Sequence, residues 1–386
     1  MRKFAKNSLA VLALATVAAS ITACDFGNND KNKSADPGSA LIANTDYMTG
    51  SISSINLSDF TAANDNLKGT VDSDLGIRFT GGRVYILNRT NGNIMRVDPA
   101  DAWNVLKQKS TGSTSNPHDI VADGSVAYIS FYGLSSIWIV DPDTLEKKNE
   151  IDLSAYSPSG VSTPSIDQMW LDDKTGYLFV SAQRFGSSWT ISDYSDVIVI
   201  DTVSQKVIKE IELQWMSGTS IVYAKDPYSK FVYASKNSWT NGDGHDHIFI
   251  LCTGNYEYGK VLADGGIVAI DTTDLDIEPG YVLSENTLST DFYDFDYNGK
   301  FYIATTGTSS SGVSSVNNSD GSVSVLLTVS TAGKVPFVRI NPEGLLFAGD
   351  QMSSGVWVFD TKNNDQKTNS SVISTGLPPS DIAFME

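Results

Sequence analysis

A short unit recurs along this chain of 386 residues, and it restricts the folds that the chain can adopt. Each copy contains an apolar run that ends in Asp and leads into a turn. The five clearest runs are residues 94–98, 137–141, 197–201, 267–271 and 356–360. Each follows an aromatic-rich run, at residues 83–87, 126–130, 177–181, 231–235 and 345–349. β-Branched and aromatic runs bounded by Gly, Asp, Asn and Ser are typical of strands, so the sequence predicts an all-β protein.

The spacing of the copies predicts the architecture. Their terminal Asp residues are 43, 60, 70 and 89 positions apart, and the last gap has room for a weaker copy at residues 301–305 and 323–327. A four-stranded unit cannot bury both faces alone, and periods of about 40–50 residues are typical of β-propeller blades. We expect the aromatic run to be the second strand of each blade and the Asp-terminated run to be the third.

The two ends of the chain complete the ring. Residues 51–56 look like part of a blade that lacks its innermost strand, and residues 380–384 look like an innermost strand without a blade. Pairing them would close the ring and remove exposed strand edges. The sequence therefore predicts one domain, residues 45–386, folded as a seven-bladed β-propeller closed by its N- and C-terminal strands. Six or eight blades are the alternatives, because the first and sixth copies are weak.

The repeat also carries a family resemblance, shown by units such as residues 126–144 and 197–207. They resemble the bacterial seven-bladed propellers built from the Tyr-Val-Thr-Asn repeat, the YncE-like or lactonase-like group, over roughly residues 45–386. The resemblance implies the fold. It implies no single activity, since this kind of fold hosts many unrelated functions.

The N-terminal segment has the features of a secretory leader. Arg2, Lys3 and Lys6 precede a short apolar stretch, and Ile-Thr-Ala before Cys24 resembles the bacterial lipobox. An ordinary cleaved leader with a chance Cys is the alternative. We expect residues 1–23 to be a lipoprotein signal peptide and residues 24–44 to be lipidated Cys24 followed by a flexible tether. Acyl chains on Cys24 would then hold an extracytoplasmic protein on a membrane of the bacterial cell envelope.

Charge limits the classes of partner that the protein can bind, and cysteine content limits its disulfides. The chain has 45 acidic and 27 basic residues, a net charge of −18. Such a surface repels nucleic acid and favours cationic partners or divalent ions, with solubility alone as the alternative. Cys252 is the only cysteine besides Cys24, so we expect no intramolecular disulfide and a buried, unreactive thiol. We expect a monomer.

Three stretches of extra length mark candidate binding loops. They lie at residues 182–196, 236–266 and 306–322, which we assign as second-to-third-strand loops of consecutive blades, crowded on one face. Loops on a rigid scaffold often carry binding residues. Exposed aromatic and polar groups suit an unknown protein, peptide or glycan, and packing of the loops against each other is the alternative. The candidate partner-binding residues are Arg184, Phe185, Trp189, Tyr194, Trp239, Tyr256 and Tyr258.

Residues 241–247 form the densest group of metal-ligand side chains in the sequence. The alternation of Asn241, Asp243 and His245 resembles a calcium loop, but Cys252 stands where such a loop has its bidentate Glu. His and Asp also suit zinc. No cofactor is required, but a divalent cation, Ca²⁺ or Zn²⁺, could bind here; a solvated turn is the alternative. The candidate ligands are Asp243, His245, Asp246 and His247.

A second group of acidic residues precedes the predicted innermost strands. If these side chains converge at the channel mouth, a cation or a basic side chain would relieve their repulsion, or one would hold a proton. The alternative is that each Asp caps a turn. The candidate mouth residues are Asp74, His118, Asp119, Asp167, Asp291 and Asp381.

Two functions remain open. The favoured one is a non-catalytic, membrane-anchored binding or scaffold module that uses the loops of one face. The other is a metal-dependent hydrolase or lyase of the lactonase-like type, with an ion at the Asp ring or beside His245 and His247 that activates water. The chain has three histidines and no Ser-His-Asp arrangement that we can place, which favours binding. A redox role has little support, because no Cys-x-x-Cys-His motif occurs and an acidic mouth does not suit a quinone cofactor.

Overall fold

Seven β-sheets surround a central channel in this protein. The computed structural model describes residues 38–386 except 66–70, 189, 192–193, 240–242, 256, 258–259, 332–333 and 386. Each sheet is antiparallel and forms one blade, so the predicted seven-bladed propeller is confirmed. The described part contains no α-helix, only the 3₁₀ turns Pro99–Asp101, Ser154–Tyr156 and Glu285–Thr287. Among the residues described, no helix has the length and apolar composition that crossing a bilayer requires.

Blade 1 joins the two ends of the chain, as the sequence predicts. Its strands, from the outside inward, are β3 (Ala62–Asp65), β2 (Gly50–Asn56), β1 (Ser39–Thr45) and β32 (Pro379–Met385). Strand β1 pairs antiparallel with β32, with Leu41 opposite Ala383. The propeller starts at Ser39, before the expected boundary at residue 45, because the apolar side chains of residues 40–43 are fully buried in this sheet.

Four blades have four strands each, in chain order from the channel outward. Blade 2 contains β4 (Leu75–Thr80), β5 (Arg83–Asn88), β6 (Asn93–Asp98) and β7 (Asn104–Ser110). Blade 3 contains β8 (Pro117–Asp123), β9 (Val126–Phe131), β10 (Ser136–Val140) and β11 (Lys147–Asp152). Blade 4 contains β12 (Ile166–Asp172), β13 (Tyr177–Ala182), β14 (Asp196–Asp201) and β15 (Lys206–Glu212). Blade 6 contains β23 (Asp291–Tyr297), β24 (Lys300–Thr306), β25 (Ser311–Asn317) and β26 (Val323–Val329).

In blades 5 and 7 the outermost strand is split into two short pieces. Blade 5 contains β18 (Val232–Ala234), β19 (His247–Cys252), β20 (Gly266–Asp271), β21 (Asp276–Ile277) and β22 (Leu283–Ser284). Blade 7 contains β27 (Val338–Ile340), β28 (Leu345–Asp350), β29 (Gly355–Asp360), β30 (Gln366–Lys367) and β31 (Ile373–Ser374). A separate hairpin, β16 (Gln214–Ser217) with β17 (Ser220–Tyr223), lies between blades 4 and 5 in the chain.

The repeated Asp closes the turn after the third strand. Asp141 Oδ1 accepts hydrogen bonds from the backbone N–H groups of Asp143 and Thr144, at 3.0 and 2.9 Å. The turn ends at Leu145, with φ of 59°, and its N–H donates to the carbonyl of Asp141. The same carboxylate bonds follow Asp201 and Asp271. Asp therefore recurs because its side chain takes up turn N–H groups that the sheet leaves unpaired.

Two strand assignments made from the sequence are wrong. In blade 5 the aromatic run ending at Ser235 contains the innermost strand β18, and the second strand is β19, whose residues are all buried. In blade 6 the third strand is β25, so residues 323–327 belong to the outermost strand β26. A fully buried strand has no alternation of polar and apolar residues, so the sequence pattern did not identify β19 as the second strand.

The polarity of the strands defines two faces. Innermost strands start on one side of the ring, the mouth face, which also carries the loops between second and third strands. The loops between first and second strands lie on the opposite side, the lower face. Residues 235–246 therefore lie on the lower face and residues 253–265 on the mouth face. The expectation that all the extra length crowds one face is wrong for blade 5, and in blade 6 the corresponding loop is only residues 307–310.

The core lies between neighbouring blades. One cluster joins Phe179 and Val199 of blade 4 to Ile248 and Ile250 of blade 5, with all four side chains fully buried. Burying one such side chain stabilises the fold by about 1.5–3 kcal/mol. Cys252 belongs to the same cluster, so the predicted buried thiol is confirmed, and burial raises its pKa well above the usual value.

A buried carboxyl group also joins blades 5 and 6. Glu285 Oε2 accepts from the N–H of Gly265 at 2.8 Å, and Oε1 accepts from the N–H of Phe292 at 2.7 Å. Burial opposes the ionised form more strongly than these bonds favour it, which raises the pKa of Glu285 to about 8. Because the folded pKa exceeds the ordinary 4.5, this group contributes stability at low pH that is lost as the pH rises toward 8.

We expect Glu285→Gln to remove that part of the pH dependence. In the native protein the free energy of unfolding should fall between pH 5 and pH 8, and in the variant the fall should be smaller. Urea titrations at both pH values measure the difference. Glu343→Gln, on an exposed turn residue, is the control and should follow the native protein. An identical fall in Glu285→Gln would contradict the assignment.

Candidate functional site

The channel opens on the mouth face into a cavity of about 390 Å³. Every blade contributes to its wall through the start of its innermost strand. The contributing residues, from blade 1 to blade 7, are Asp381, Leu75, His118, Asp167, Lys230, Asp294 and Arg339. The volume lies in the range of small-molecule pockets, about 300–1,000 Å³.

Arg78, in β4 of blade 2, bonds to three other blades at this mouth. Its Nε donates to Asp119 of blade 3 at 2.5 Å, its Nη1 donates to Asp381 of blade 1 at 2.6 Å, and its Nη2 donates to Gln168 of blade 4 at 3.0 Å. Burial would lower the pKa of Arg78, but the charges of Asp119 and Asp381 outweigh it and raise that pKa. All three guanidinium nitrogens are thus engaged.

Lys230 crosses the channel from blade 5. Its Nζ donates to Asp381 Oδ1 and to the carbonyl of Ile382 in blade 1, both at 3.0 Å. Burial and the charge of Arg78 lower the pKa of Lys230 to about 8, against the opposing effect of Asp381. Burial would raise the pKa of Asp381, but the charges of Lys230 and Arg78 hold it below the usual range. Lys230 is therefore an ammonium group close to its titration point near neutral pH.

Arg339 has hydrogen-bonding capacity that the described residues do not use. Its Nη1 bonds to the Asp294 carboxylate and to the carbonyls of Phe295 and Val338. Its Nε and Nη2 have no hydrogen-bond partner among the residues that the structure describes, and the side chain lines the cavity. A guanidinium edge of this kind matches the two oxygens of a carboxylate.

Aromatic side chains stand above these charges. Tyr47 is 71% exposed at the rim, and Tyr228 packs edge-on against Tyr293 with the ring centroids 5.7 Å apart. All three tyrosines line the cavity. The mouth therefore offers ring surfaces as well as charged groups to a ligand.

Most of the predicted mouth residues meet here. Asp74, His118, Asp167 and Asp381 line the cavity, and Asp119 lies against it through Arg78. Asp291 does not join them; it caps a turn by accepting from the N–H groups of Leu262 and Ala263. His118 Nδ1 lies 2.5 Å from Asp167 Oδ1, and its ring packs on Tyr132.

The basic side chains are what the sequence analysis missed. Arg78, Lys230 and Arg339 lie within the innermost strands or next to them. Their position in the repeat is the sequence feature that could have identified them. Lys230 could not be placed because β18 was assigned as a second strand. The acidic residues contact these cations, which is the alternative in which basic side chains relieve the repulsion between the carboxylates. The mouth is therefore not uniformly acidic. The charge argument against a redox cofactor therefore fails.

The predicted partner-binding residues divide between the faces. In the loop of blade 4, Arg184 Nη1 lies 2.6 Å from Asp196 Oδ2, and the guanidinium lies over the ring of Tyr194. The ring centroids of Phe185 and Tyr132 are 6.5 Å apart. Trp239 lies on the lower face and packs on His247. These described contacts fit the alternative in which the loops pack on themselves. Trp189, Tyr256 and Tyr258 lie outside the described residues.

The histidine-containing loop gathers a cluster on the lower face of blade 5. Asp243 and His247 meet Asp271 and Glu278, with one potential ligand atom of each within 4.8 Å of the others. His245 forms a second group with Asp271 and Asp274, and its contact with Asp271 raises the pKa of its imidazole. Asp246 lies outside both groups, since it pairs with Lys174 at 2.6 Å. Asn241 lies outside the described residues.

Comparison with known proteins shows the fold alone. No family model matches the chain, and no curated protein matches its sequence. A putative 6-phosphogluconolactonase from Bacteroides fragilis aligns with a TM-score of 0.56 at 12% identity, over 91% of this chain and 99% of that chain. Hydrazine synthase of Kuenenia stuttgartiensis aligns at 0.55 and 14% identity, over 83% and 93%. AztD of Citrobacter koseri aligns at 0.50 and 16% identity, over 89% and 97%.

Proposed function

We propose that the protein is a membrane-anchored, extracytoplasmic binding protein whose propeller holds a small organic anion at the channel mouth, without catalysis. One observation carries the proposal. In a chain with a net charge of −18, the cations Arg78, Lys230 and Arg339 from three blades converge on one cavity. The lining also contains Asp74, Asp167, Asp294 and Asp381, which balance that charge, so an anion would bind to the donors of Arg339 that the described residues leave unused.

The cavity can recognise both parts of such a ligand. The free Nε and Nη2 of Arg339 suit a carboxylate, which would be held by two parallel hydrogen bonds. Lys230 adds a point charge across the channel, and Asp381 remains paired with Arg78 when Lys230 turns to a ligand. Tyr228 and Tyr293 offer ring surfaces to an apolar body. These features favour a small carboxylic acid over a neutral ligand of the same shape.

The anchoring part of the proposal rests on Cys24 and the leader before it. Acylation of Cys24 would attach the propeller to a cell-envelope membrane through a tether of polar residues. Cys24→Ala is expected to move the protein from the membrane to the soluble extracytoplasmic fraction, and labelled palmitate should no longer be incorporated. Palmitate labelling of the variant equal to that of the native protein would contradict lipidation at this residue.

The binding proposal is tested with carboxylates and their neutral methyl esters. We expect benzoate or succinate, and not the esters, to raise the melting temperature of the full-length protein. Arg339→Lys keeps the charge but loses the two-pronged edge, so the affinity for the carboxylate should fall about tenfold, or ~1.4 kcal/mol. Arg96→Lys, in a pair with Asp143 on the lower face, is the matched control and should bind as the native protein does.

Binding should also depend on pH through Lys230. Its pKa of about 8 means that the ammonium is largely charged at pH 6.5 and largely neutral at pH 9.5. The affinity for a carboxylate should therefore fall over this interval in isothermal titration calorimetry. In Lys230→Met the affinity should be low at both pH values. An affinity that is equal at pH 6.5 and 9.5 in the native protein would remove Lys230 from the site.

The divalent cation named above belongs to another part of the fold. The carboxylates at the mouth are matched there by basic side chains, whereas the histidine-containing cluster lies on the lower face. An ion is therefore separate from the proposed anion site, and neither binding event requires the other.

A further inference from the structure

We propose that the lower face of blade 5 binds one divalent transition-metal ion, through Nε2 of His247 and carboxylate oxygens of Asp243, Asp271 and Glu278. These four residues come from different segments of one blade. His247 begins β19 and Asp271 ends β20, and the two are direct partners in the sheet. Asp243 precedes β19 by a short loop, and Glu278 follows β21. The fold thus brings together residues that are far apart in the chain.

The spacing of the ligand atoms fits a coordinated ion. His247 Nε2 lies 3.3 Å from Asp243 Oδ2 and 3.4 Å from Glu278 Oε1. These distances are long for N–H···O hydrogen bonds, which are typically about 2.7–3.2 Å. Ligands placed tetrahedrally about 2.1 Å from a zinc ion are separated from each other by about 3.4 Å. These two separations therefore match edges of a coordination tetrahedron, and the other separations among the four ligand atoms are within 4.8 Å.

His247 itself requires a partner. Its side chain is fully buried, and Nδ1 has no hydrogen-bond partner among the described residues. Within the described part of the chain, its Nε2 has two long contacts with carboxylate oxygens. A buried polar group without a good hydrogen bond costs about 1–3 kcal/mol. A metal bond at Nε2 would replace the two long contacts, while Nδ1 stays without a partner among the described residues; the ring of Trp239 packs edge-on against the imidazole, with the centroids 4.7 Å apart.

Neighbouring groups hold two of the carboxylates in place. Asp243 Oδ1 accepts from the N–H of His245 at 2.8 Å, and its Oδ2 lies 3.3 Å from His247 Nε2. Asp271 Oδ1 accepts from the N–H groups of Thr273 and Asp274 at 2.6 and 2.9 Å. Asp271 Oδ2 also contacts His245 Nδ1 at 2.7 Å. Fixed outer contacts of this kind reduce the cost of arranging ligands around an ion.

The local negative charge also favours a bound cation. Asp243, Asp271, Asp274 and Glu278 lie in or beside the cluster, where they contact the imidazoles of His245 and His247. The nearby Lys174 is paired with Asp246 instead. A divalent ion would balance carboxylates that otherwise repel each other.

The ligand set selects the kind of ion. An imidazole nitrogen suits zinc and other late first-row divalent metals, whereas calcium takes oxygen ligands in larger number. Three carboxylates and one imidazole fill a four-coordinate shell. We therefore expect Zn²⁺ to bind, Co²⁺ to substitute for it, and Ca²⁺ and Mg²⁺ to bind far more weakly.

Calorimetric titration of the full-length, chelator-treated protein with ZnCl₂ tests the site. We expect one ion per chain and a higher melting temperature when it is bound. Asp243→Asn and Glu278→Gln change residues that are not fully buried and should each weaken binding by about tenfold or more. Asp276→Asn removes an exposed carboxylate of the same blade that lies outside the cluster, and it should bind as the native protein does. The visible spectrum with Co²⁺ should have the intensity of four-coordinate cobalt.

Three results would overturn the proposal. The native protein could show no zinc binding. Asp243→Asn and Glu278→Gln could bind as tightly as Asp276→Asn, which would indicate association with the acidic surface in general. Ca²⁺ could bind as tightly as Zn²⁺, which would refute the assignment to a transition metal. None of these results bears on the carboxylate site at the mouth.

Discussion

A chain that ends after Leu377 is expected to lose its cooperative folded state. The truncation removes β32, which is the innermost strand of blade 1 and pairs with β1 along its length. It also removes Asp381, which holds Arg78 and Lys230. The ring would then have an open, apolar strand edge, with Leu41 and Ile42 deprived of their partners. Circular dichroism with urea titration should show a broad transition or none.

A peptide in trans provides the control. Residues 378–386 added as a synthetic peptide should restore a cooperative transition, because strand pairing depends on contact and not on chain continuity. Ser380→Ala in the full chain removes only the bond from its hydroxyl to the carbonyl of Ala43 and should unfold as the native protein does. A truncated chain with native stability would show that blade 1 does not need its inner strand.

Arg78→Met is expected to destabilise the fold by about 3–5 kcal/mol. Arg78 is the shared partner of Asp119 and Asp381, and both carboxylates are held in the buried mouth. Without the guanidinium, Lys230 still contacts Asp381, but Asp119 keeps only backbone N–H donors, from Ile120 and Met169. An uncompensated buried charge costs more than the pair contributes when intact. Urea unfolding at pH 7 measures the loss.

The matched control is Arg83→Met. Arg83 also pairs with a carboxylate, but Asp143 is half exposed, so water replaces the lost partner. The cost there should be no more than about 1 kcal/mol. Equal losses in the two variants would show that the mouth network adds no stability of its own.

The architecture was predictable because its signals are local. The carboxylate of an Asp that ends a third strand accepts hydrogen bonds from backbone N–H groups two and three residues later, so five consecutive residues define the turn. Ring closure was predictable because residues 51–56 look like part of a blade without its innermost strand and residues 380–384 look like an innermost strand without a blade. The assignment failed where burial removed the polar alternation, as in β19, and this one error moved the histidine-containing loop to the wrong face.

The candidate sites were predictable only in part, because their other members come from long-range pairing. Asp243 and His247 are close in sequence and were found together. Asp271 was already explained by its turn, and Glu278 joins the cluster only through the pairing of β20 with β19 and β21. At the mouth, the acidic residues occupy the same position in several repeats, near the start of the innermost strand. Lys230 belongs to a blade on the other side of the channel, and no spacing rule relates it to Asp381.

The polarity of β1 determines the face on which the chain enters the propeller. β1 is a second strand, so it enters the ring at Ser39 on the lower face and ends at Thr45 beside the mouth. Under the proposed anchoring at Cys24, the tether therefore leaves from the side opposite the cavity. The point of attachment and the cavity would then lie on opposite faces of the ring. A soluble anion could reach its site without passing the attachment point, and the histidine-containing cluster would share its face with that point.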